Sequence, residues 1–146
     1  MLKSFLPMLL ILVIAASSQA RQEEQITVYV KIDGFKNEEG LCRLLLFDGE
    51  KGFPDSGRDA AMMLSEYITG KAAEISLKIT PGRYALSVIH DENSNGKLDQ
   101  TWYGKPMEGF GSSNNPAAGY GPPGFEESEV NLDANNNRII IKLNYL

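Results

Sequence analysis

Residues 73–90 read AEISLKITPGRYALSVIH, two strand-like runs around a turn. Ile75, Leu77 and Ile79 alternate with Glu74, Ser76 and Lys78, the period of a strand buried on one face. In Thr80-Pro81-Gly82-Arg83, Pro presets the second turn position and Gly follows it. Tyr84 to His90 is apolar again, so the spacing predicts a β-hairpin. The pattern recurs outward along the chain. Ile26 to Ile32 (ITVYVKI) alternates and is rich in β-branched residues. Leu41 to Phe47 (LCRLLLF) predicts a second strand, with the first as its expected partner across the turn residues Asp33-Gly34 and Asn37 to Gly40. Glu127 to Leu132 and Arg138 to Tyr145 alternate around Asp133–Asn137 and predict a second hairpin. Asp48 to Asp59 is a Gly/Pro/Asp-rich loop with Phe53 tucked under it, and Ala60 to Tyr67 fits either one helical turn or a weak strand. Gln100 to Phe125 is one long irregular segment. Short strands at close spacing, with no long helix, predict an all-β chain: an antiparallel β-sandwich of about seven strands with one long ordered loop.

The first twenty residues, MLKSFLPMLLILVIAASSQA, differ from the rest. Lys3 precedes an apolar run from Phe5 to Ala16, and Ser18-Gln19-Ala20 is a small-x-small cleavage pattern. This is the pattern of a secretory signal peptide over residues 1–20, so the chain is expected to be exported, to the periplasm or beyond. The run is too short, and too closely followed by the cleavage pattern, for a stable transmembrane anchor. Residues 21–146 are expected to form a single β-sandwich domain, with 13 cations against 19 anions. That balance argues against nucleic acid as a partner. One cysteine excludes a disulfide scaffold, a cysteine-based zinc site and a thiol redox motif. Cys42 lies within a strand and is expected to be buried and inert.

Asp91-Glu92-Asn93-Ser94-Asn95-Gly96-Lys97-Leu98-Asp99 matches D-x-[DN]-x-[DN]-G-x-x-D. In a calcium loop, alternate residues aim oxygens at one centre and Gly makes the sharp turn. The ligands here would be the side chains of Asp91, Asn93, Asn95 and Asp99 with the Lys97 carbonyl, a hard-oxygen set suited to Ca²⁺. Trp102 stands at the twelfth position in place of a bidentate Glu, so the loop is not an EF-hand; Glu92, Glu108 or Glu126 would have to complete the shell. The competing interpretation is a metal-free turn in which Asp and Asn cap their own backbone.

The segment from Gln100 to Phe125 interleaves Trp102, Tyr103, Phe110, Tyr120 and Phe125 with many Gly and Pro residues. Disordered chains are poor in aromatics, so order is expected. The rings either plug one end of the sandwich or present a binding surface for a glycan or a protein. The single His, His90, offers a metal ligand or a base; the more common role for such a residue is a strand-end His bonded to a backbone group or a carboxylate. The chain contains no nucleophile elbow, P-loop, dinucleotide fingerprint or H-E-x-x-H, so no catalytic role is assigned. Acid–base work by paired carboxylates, as in a hydrolase of envelope glycans with Asp91 or Glu108 as acid or base, is the enzymatic alternative.

Three motif strings carry a resemblance. They are His90-Asp91-Glu92-Asn93-x-Asn95-Gly96-Lys97-Leu98-Asp99, then Gly104-x-Pro106-x-Glu108-Gly109-Phe110-Gly111-x-Ser113-Asn114-Asn115, then Gly121-Pro122-Pro123-x-Phe125. With the Pro81-Gly82-x-Tyr84-Ala85 corner and Gly52-Phe53-Pro54, the chain resembles the bacterial domain-of-unknown-function family numbered 2141, over about Ile26 to Leu143. The resemblance implies an exported small β-sandwich and no reaction. The Pro-Gly-x-Tyr corner between apolar strands also resembles prealbumin-like sandwiches, related in architecture to immunoglobulin-like ones. The expected function is therefore a non-enzymatic binding or accessory module of the envelope, with Ca²⁺ as the expected ion if the Asp91–Asp99 loop holds one. A purely structural, metal-free module is the alternative.

Overall fold

The computed structural model describes residues 24–117, 119 and 121–146; the signal segment read at residues 1–20 lies outside the described residues, as does Tyr120. The described residues form β1 (Ile26–Asp33), β2 (Leu41–Phe47), β3 (Met62–Glu66), β4 (Ala72–Ile79), β5 (Gly82–Asp91), β6 (Phe110–Ser112), the short helix α1 (Phe125–Ser128), β7 (Glu129–Leu132) and β8 (Arg138–Lys142). One sheet has the order β4-β1-β8 and the other β3-β2-β5, with β6 and β7 both on the far side of β5. The ten residues of β5 make this sharing possible: Gly82–Ala85 pair with β7, and Ser87–Ile89 pair with β6.

Val28, Val30 and Ile32 of β1, Ile75, Leu77 and Ile79 of β4, and Ile141 of β8 face Cys42, Leu44 and Leu46 of β2 and Leu86 and Val88 of β5. This buried layer between two sheets makes the molecule a β-sandwich. The strands of the three-stranded sheet alternate buried and exposed, because their other face meets water. β2 and β5 differ. Leu44 to Phe47 and Ala85 to Asp91 are buried without a break, because a second apolar layer covers the outer face of their sheet. In that layer Leu45, Phe47 and Ile89 pack under Phe53, Ala60, Leu98 and Phe125.

The predicted hairpins do not form. β4 pairs with β1 and β5 with β2, so Thr80-Pro81 carries the chain from one sheet to the other. The tight hairpin turns need a positive φ at their first central residue, which the proline ring forbids. β1 and β2 likewise lie in different sheets. β7 pairs with β5, while β8 runs parallel to β1, a departure from a wholly antiparallel sandwich. At Asp133–Asn137 the Asp133 carboxylate accepts the N–H groups of Asn135 and Asn136 at 2.8 and 2.9 Å, which turns the chain into the opposite sheet. Ala60–Tyr67 contains the strand β3 rather than a helical turn, with Met62 and Leu64 packed on the core. Nor is Gln100–Phe125 one loop, since β6 lies within it.

Candidate functional site

The outer face of the β2–β5 sheet collects the motif residues. β5 ends at Asp91, whose side chain is fully buried. Its Oδ1 accepts the N–H of Asn95 at 2.9 Å, its Oδ2 accepts the N–H of Gly96 at 2.9 Å, and the Arg43 guanidinium pairs with Oδ2. Arg43 comes from the neighbouring β2, two positions beyond the Leu41–Asp91 pairing. Asn93 Oδ1 accepts the N–H of Asn95 at 3.1 Å, and Asn95 Oδ1 accepts that of Lys97 at 3.0 Å. The side-chain amides of Asn93 and Asn95 donate to the Asp99 carboxylate at 2.6 and 2.9 Å. These bonds, that from Asn95 foremost, hold the Asp99 carboxyl below the usual carboxylate range.

The fold thus brings Asp91, Asn93, Asn95 and Asp99 into one self-bonded loop, with Lys97 as an N–H donor to Asn95. Among the described residues no three His, Cys, Asp or Glu side chains cluster. Gly40 sits against this loop with φ +67°; a Cβ there would stand 2.0 Å from the Asp91 carbonyl oxygen.

Glu108 closes the loop. The residue is 5% exposed, and its carboxylate accepts the Glu92 N–H at 2.9 Å and the Asp99 N–H at 3.0 Å, so one side chain braces both ends. Asp91 and Glu108, each named as acid or base in the enzymatic alternative, both accept backbone amides.

Beyond Asp99 the chain makes a small hairpin. Met107 N–H donates to the Asp99 carbonyl at 2.8 Å, Thr101 N–H to that of Lys105 at 2.8 Å, and Gly104 N–H to that of Thr101 at 3.0 Å. The tip carries Trp102, 96% exposed, and Tyr103, 63% exposed, in an edge-to-face pair with centroids 5.2 Å apart. Met107 beside them is also exposed. The other rings part company with these two. Phe110 is half-buried in β6. Phe125 stacks edge-on against Phe53, which does the same against Phe47. The expectation for Tyr120 falls outside the described residues.

Between the hairpin and the outer apolar layer lies a cleft of about 560 Å³. Phe53, Ile89, Leu98 and Phe110 line it, with Tyr103 beside Gln100 and Lys105 at the hairpin. Asp91 and Glu108 are absent from its lining. The wall residues Phe53, Ile89 and Leu98 were not expected to form a site. The signal for a covering layer was the near-continuous apolar character of LCRLLLF and YALSVIH, interrupted only by Arg43 and Ser87, which marks a sheet covered on both faces.

His90 lies on the inner side and is fully buried. The Glu39 carbonyl, 2.8 Å from Nε2, only accepts, so Nε2 carries the proton and Nδ1 accepts from the Tyr145 hydroxyl at 2.7 Å. Tyr145 in turn accepts the Lys36 N–H at 3.1 Å. His90 is a satisfied structural joint. Burial pushes the Cys42 thiol up to about 12, which leaves it unreactive. No helix among the described residues is long and apolar enough to cross a membrane.

A family model described as "Uncharacterized protein conserved in bacteria (DUF2141)" matches residues 30–140. The match takes in well over half of the chain, and the chain belongs to that family. No curated protein and no solved structure matches it.

Proposed function

We propose that this member of an uncharacterised bacterial family is a non-catalytic, exported binding module that captures an envelope glycan on the Trp102–Tyr103 tip and in the adjoining cleft. The observation that carries the reading is the 96% exposure of Trp102 on a hairpin fixed at its base. A large ring left in water beside a second exposed ring is an anchor awaiting a partner. The cleft volume suits a drug-sized ligand, and apolar walls with a few polar groups match the two-sided character of a sugar ring. Export is supported by the leader-like residues 1–20.

Trp102 is the chain's single tryptophan, so its fluorescence reports the tip alone. Titration with soluble fragments of envelope glycan should shift the emission and protect it from acrylamide. Trp102→Ala should weaken retention on immobilised glycan at least tenfold. Equal retention of the variant and the parent overturns the reading; retention of an envelope protein instead of glycan replaces the ligand class.

Ca²⁺ in the Asp91–Asp99 loop is a second reading, favoured by the gathering of the Asn93, Asn95 and Asp99 side chains, and it requires both amides to turn their oxygens from the Asn95 and Lys97 N–H groups to the ion. Against it stands Arg43, which already neutralises Asp91. With a Kd of about 10⁻⁴–10⁻³ M, about 10 mM Ca²⁺ would stabilise the fold by about 1.4–2.7 kcal/mol. An unchanged thermal midpoint at that concentration, with no calorimetric heat, removes this reading.

A further inference from the structure

We infer that the free edge of β4 is a self-recognition surface, on which a second copy of this chain adds its own β4 antiparallel about a two-fold axis at Ser76. The two edges of the three-stranded sheet are treated differently. At β8, the side-chain amide of Asn115 takes the place of a neighbouring strand: its Oδ1 accepts the Lys142 N–H at 2.7 Å and its Nδ2 donates to the Ile140 carbonyl at 2.8 Å. At β4, residues Ala73–Ile79 make no backbone hydrogen bonds, among the described residues, besides those to β1. An edge left with unpaired N–H and C=O groups is a template for another strand.

The side chains of that edge choose the partner. Glu74, Ser76 and Lys78 are exposed on the solvent face, and Ala73, Ile75, Leu77 and Ile79 are buried in the core. Turning the strand about Ser76 sets each Glu74 opposite the Lys78 of the other copy and brings the two small serines together. Neither Glu74 nor Lys78 has an ion-pair partner among the described residues. In the observed register Lys31 of β1 lies beside Glu74, so the row Lys31–Glu74–Lys78 of the second copy alternates in sign. Directly opposed unlike charges stabilise a strand pair and like charges oppose it, so the edge favours its own antiparallel copy in this one register.

Cysteine trapping in the intact protein tests the arrangement, since Cys42 is buried and takes no part. Under mild oxidation Ser76→Cys should crosslink to itself. Lys78→Cys alone should not, because residues 78 lie four positions apart across the axis, yet a mixture of Lys78→Cys and Glu74→Cys should. By sedimentation at rising concentration, Glu74→Lys should weaken dimerisation about tenfold and Glu74→Lys with Lys78→Glu should recover part of that loss, because Lys31 still lies beside residue 74. Absence of a Ser76→Cys crosslink overturns the proposal. Equal crosslinking of Lys78→Cys does so too, as does a double swap no better than the single one.

Discussion

Arg43 and Asp91 form an ion pair whose carboxylate is fully buried while the guanidinium side chain stays 15% exposed. The pair joins β2 to the end of β5, and the same carboxylate holds the Asn95 and Gly96 amides. Removing one member of a buried pair strands the other and its hydrogen-bond donors. Asp91→Ala should therefore cost about 3–5 kcal/mol in urea unfolding. Arg43→Met should cost less than Asp91→Ala, because Asp91 keeps its two amide donors. Equal stability of Asp91→Ala and the parent would show that the loop does not depend on this carboxylate.

Glu108 ties Glu92 to Asp99 and so fixes the base of the hairpin that carries Trp102. In Glu108→Gln one oxygen still accepts, but the new NH₂ faces a backbone N–H. Hydrogen bonds to a charged acceptor contribute about 1.5–3 kcal/mol, so a loss of that order is expected. Amide hydrogen exchange should locate it, with the Glu92 or Asp99 N–H losing protection while the amides of β1 keep theirs.

Strands were legible where one face is wet. ITVYVKI and AEISLKI alternate, and both lie in the three-stranded sheet with one face in water; RIIIK, in the same sheet, alternates in burial but not in sequence, since Ile140 is exposed. Pairing was not legible, because the turn residues Pro81-Gly82 and Asp133–Asn137 announce a reversal without saying which sheet receives the next strand. Strand β6 was hidden among glycines: Gly111 packs so closely on Lys142 and Ile141 that a Cβ would meet them at 2.7 and 2.9 Å. At the candidate site, Asp91, Asn93, Asn95 and Asp99 were readable as a loop because their contacts are local. Arg43 and Phe53 were not, since both reach the site only through sheet pairing and the outer apolar layer.

Glu92 provides a pH test. Burial works against its charge, but the Lys36 ammonium at 2.7 Å and the Asn37 amide at 3.3 Å outweigh it and hold the carboxyl below its ordinary value. A carboxyl depressed on folding contributes stability that is present above its unfolded pKa, about 4.3, and is lost as pH falls through the folded value. Glu92→Gln should therefore be less stable than the parent at neutral pH, with a gap in urea midpoint that narrows between about pH 5 and pH 3. A gap of constant size over that range would contradict the assignment.

Asn115 holds a left-handed backbone, φ 48°, and caps the β8 edge with both ends of its amide. Asn115→Asp keeps the acceptor for Lys142 but sets a carboxylate oxygen against the Ile140 carbonyl. A loss of about 1–3 kcal/mol is expected, as for an unsatisfied backbone group facing a like dipole. Asn115→Gly keeps the backbone and bares the edge, so it should raise light scattering on heating more than it lowers the unfolding midpoint.

Trp102 and Phe47 are rings in opposite circumstances, one 96% and the other 1% exposed. Phe47→Ala empties the outer apolar layer under Phe53 and should cost about 3–5 kcal/mol. Trp102→Ala removes a ring that touches little besides Tyr103, so its unfolding free energy should change by less than about 0.5 kcal/mol. If the variant keeps its stability and loses glycan retention, the ring is held for binding. Should Trp102→Ala unfold at a markedly lower urea concentration than the parent, the ring is packing material and the tip is no anchor.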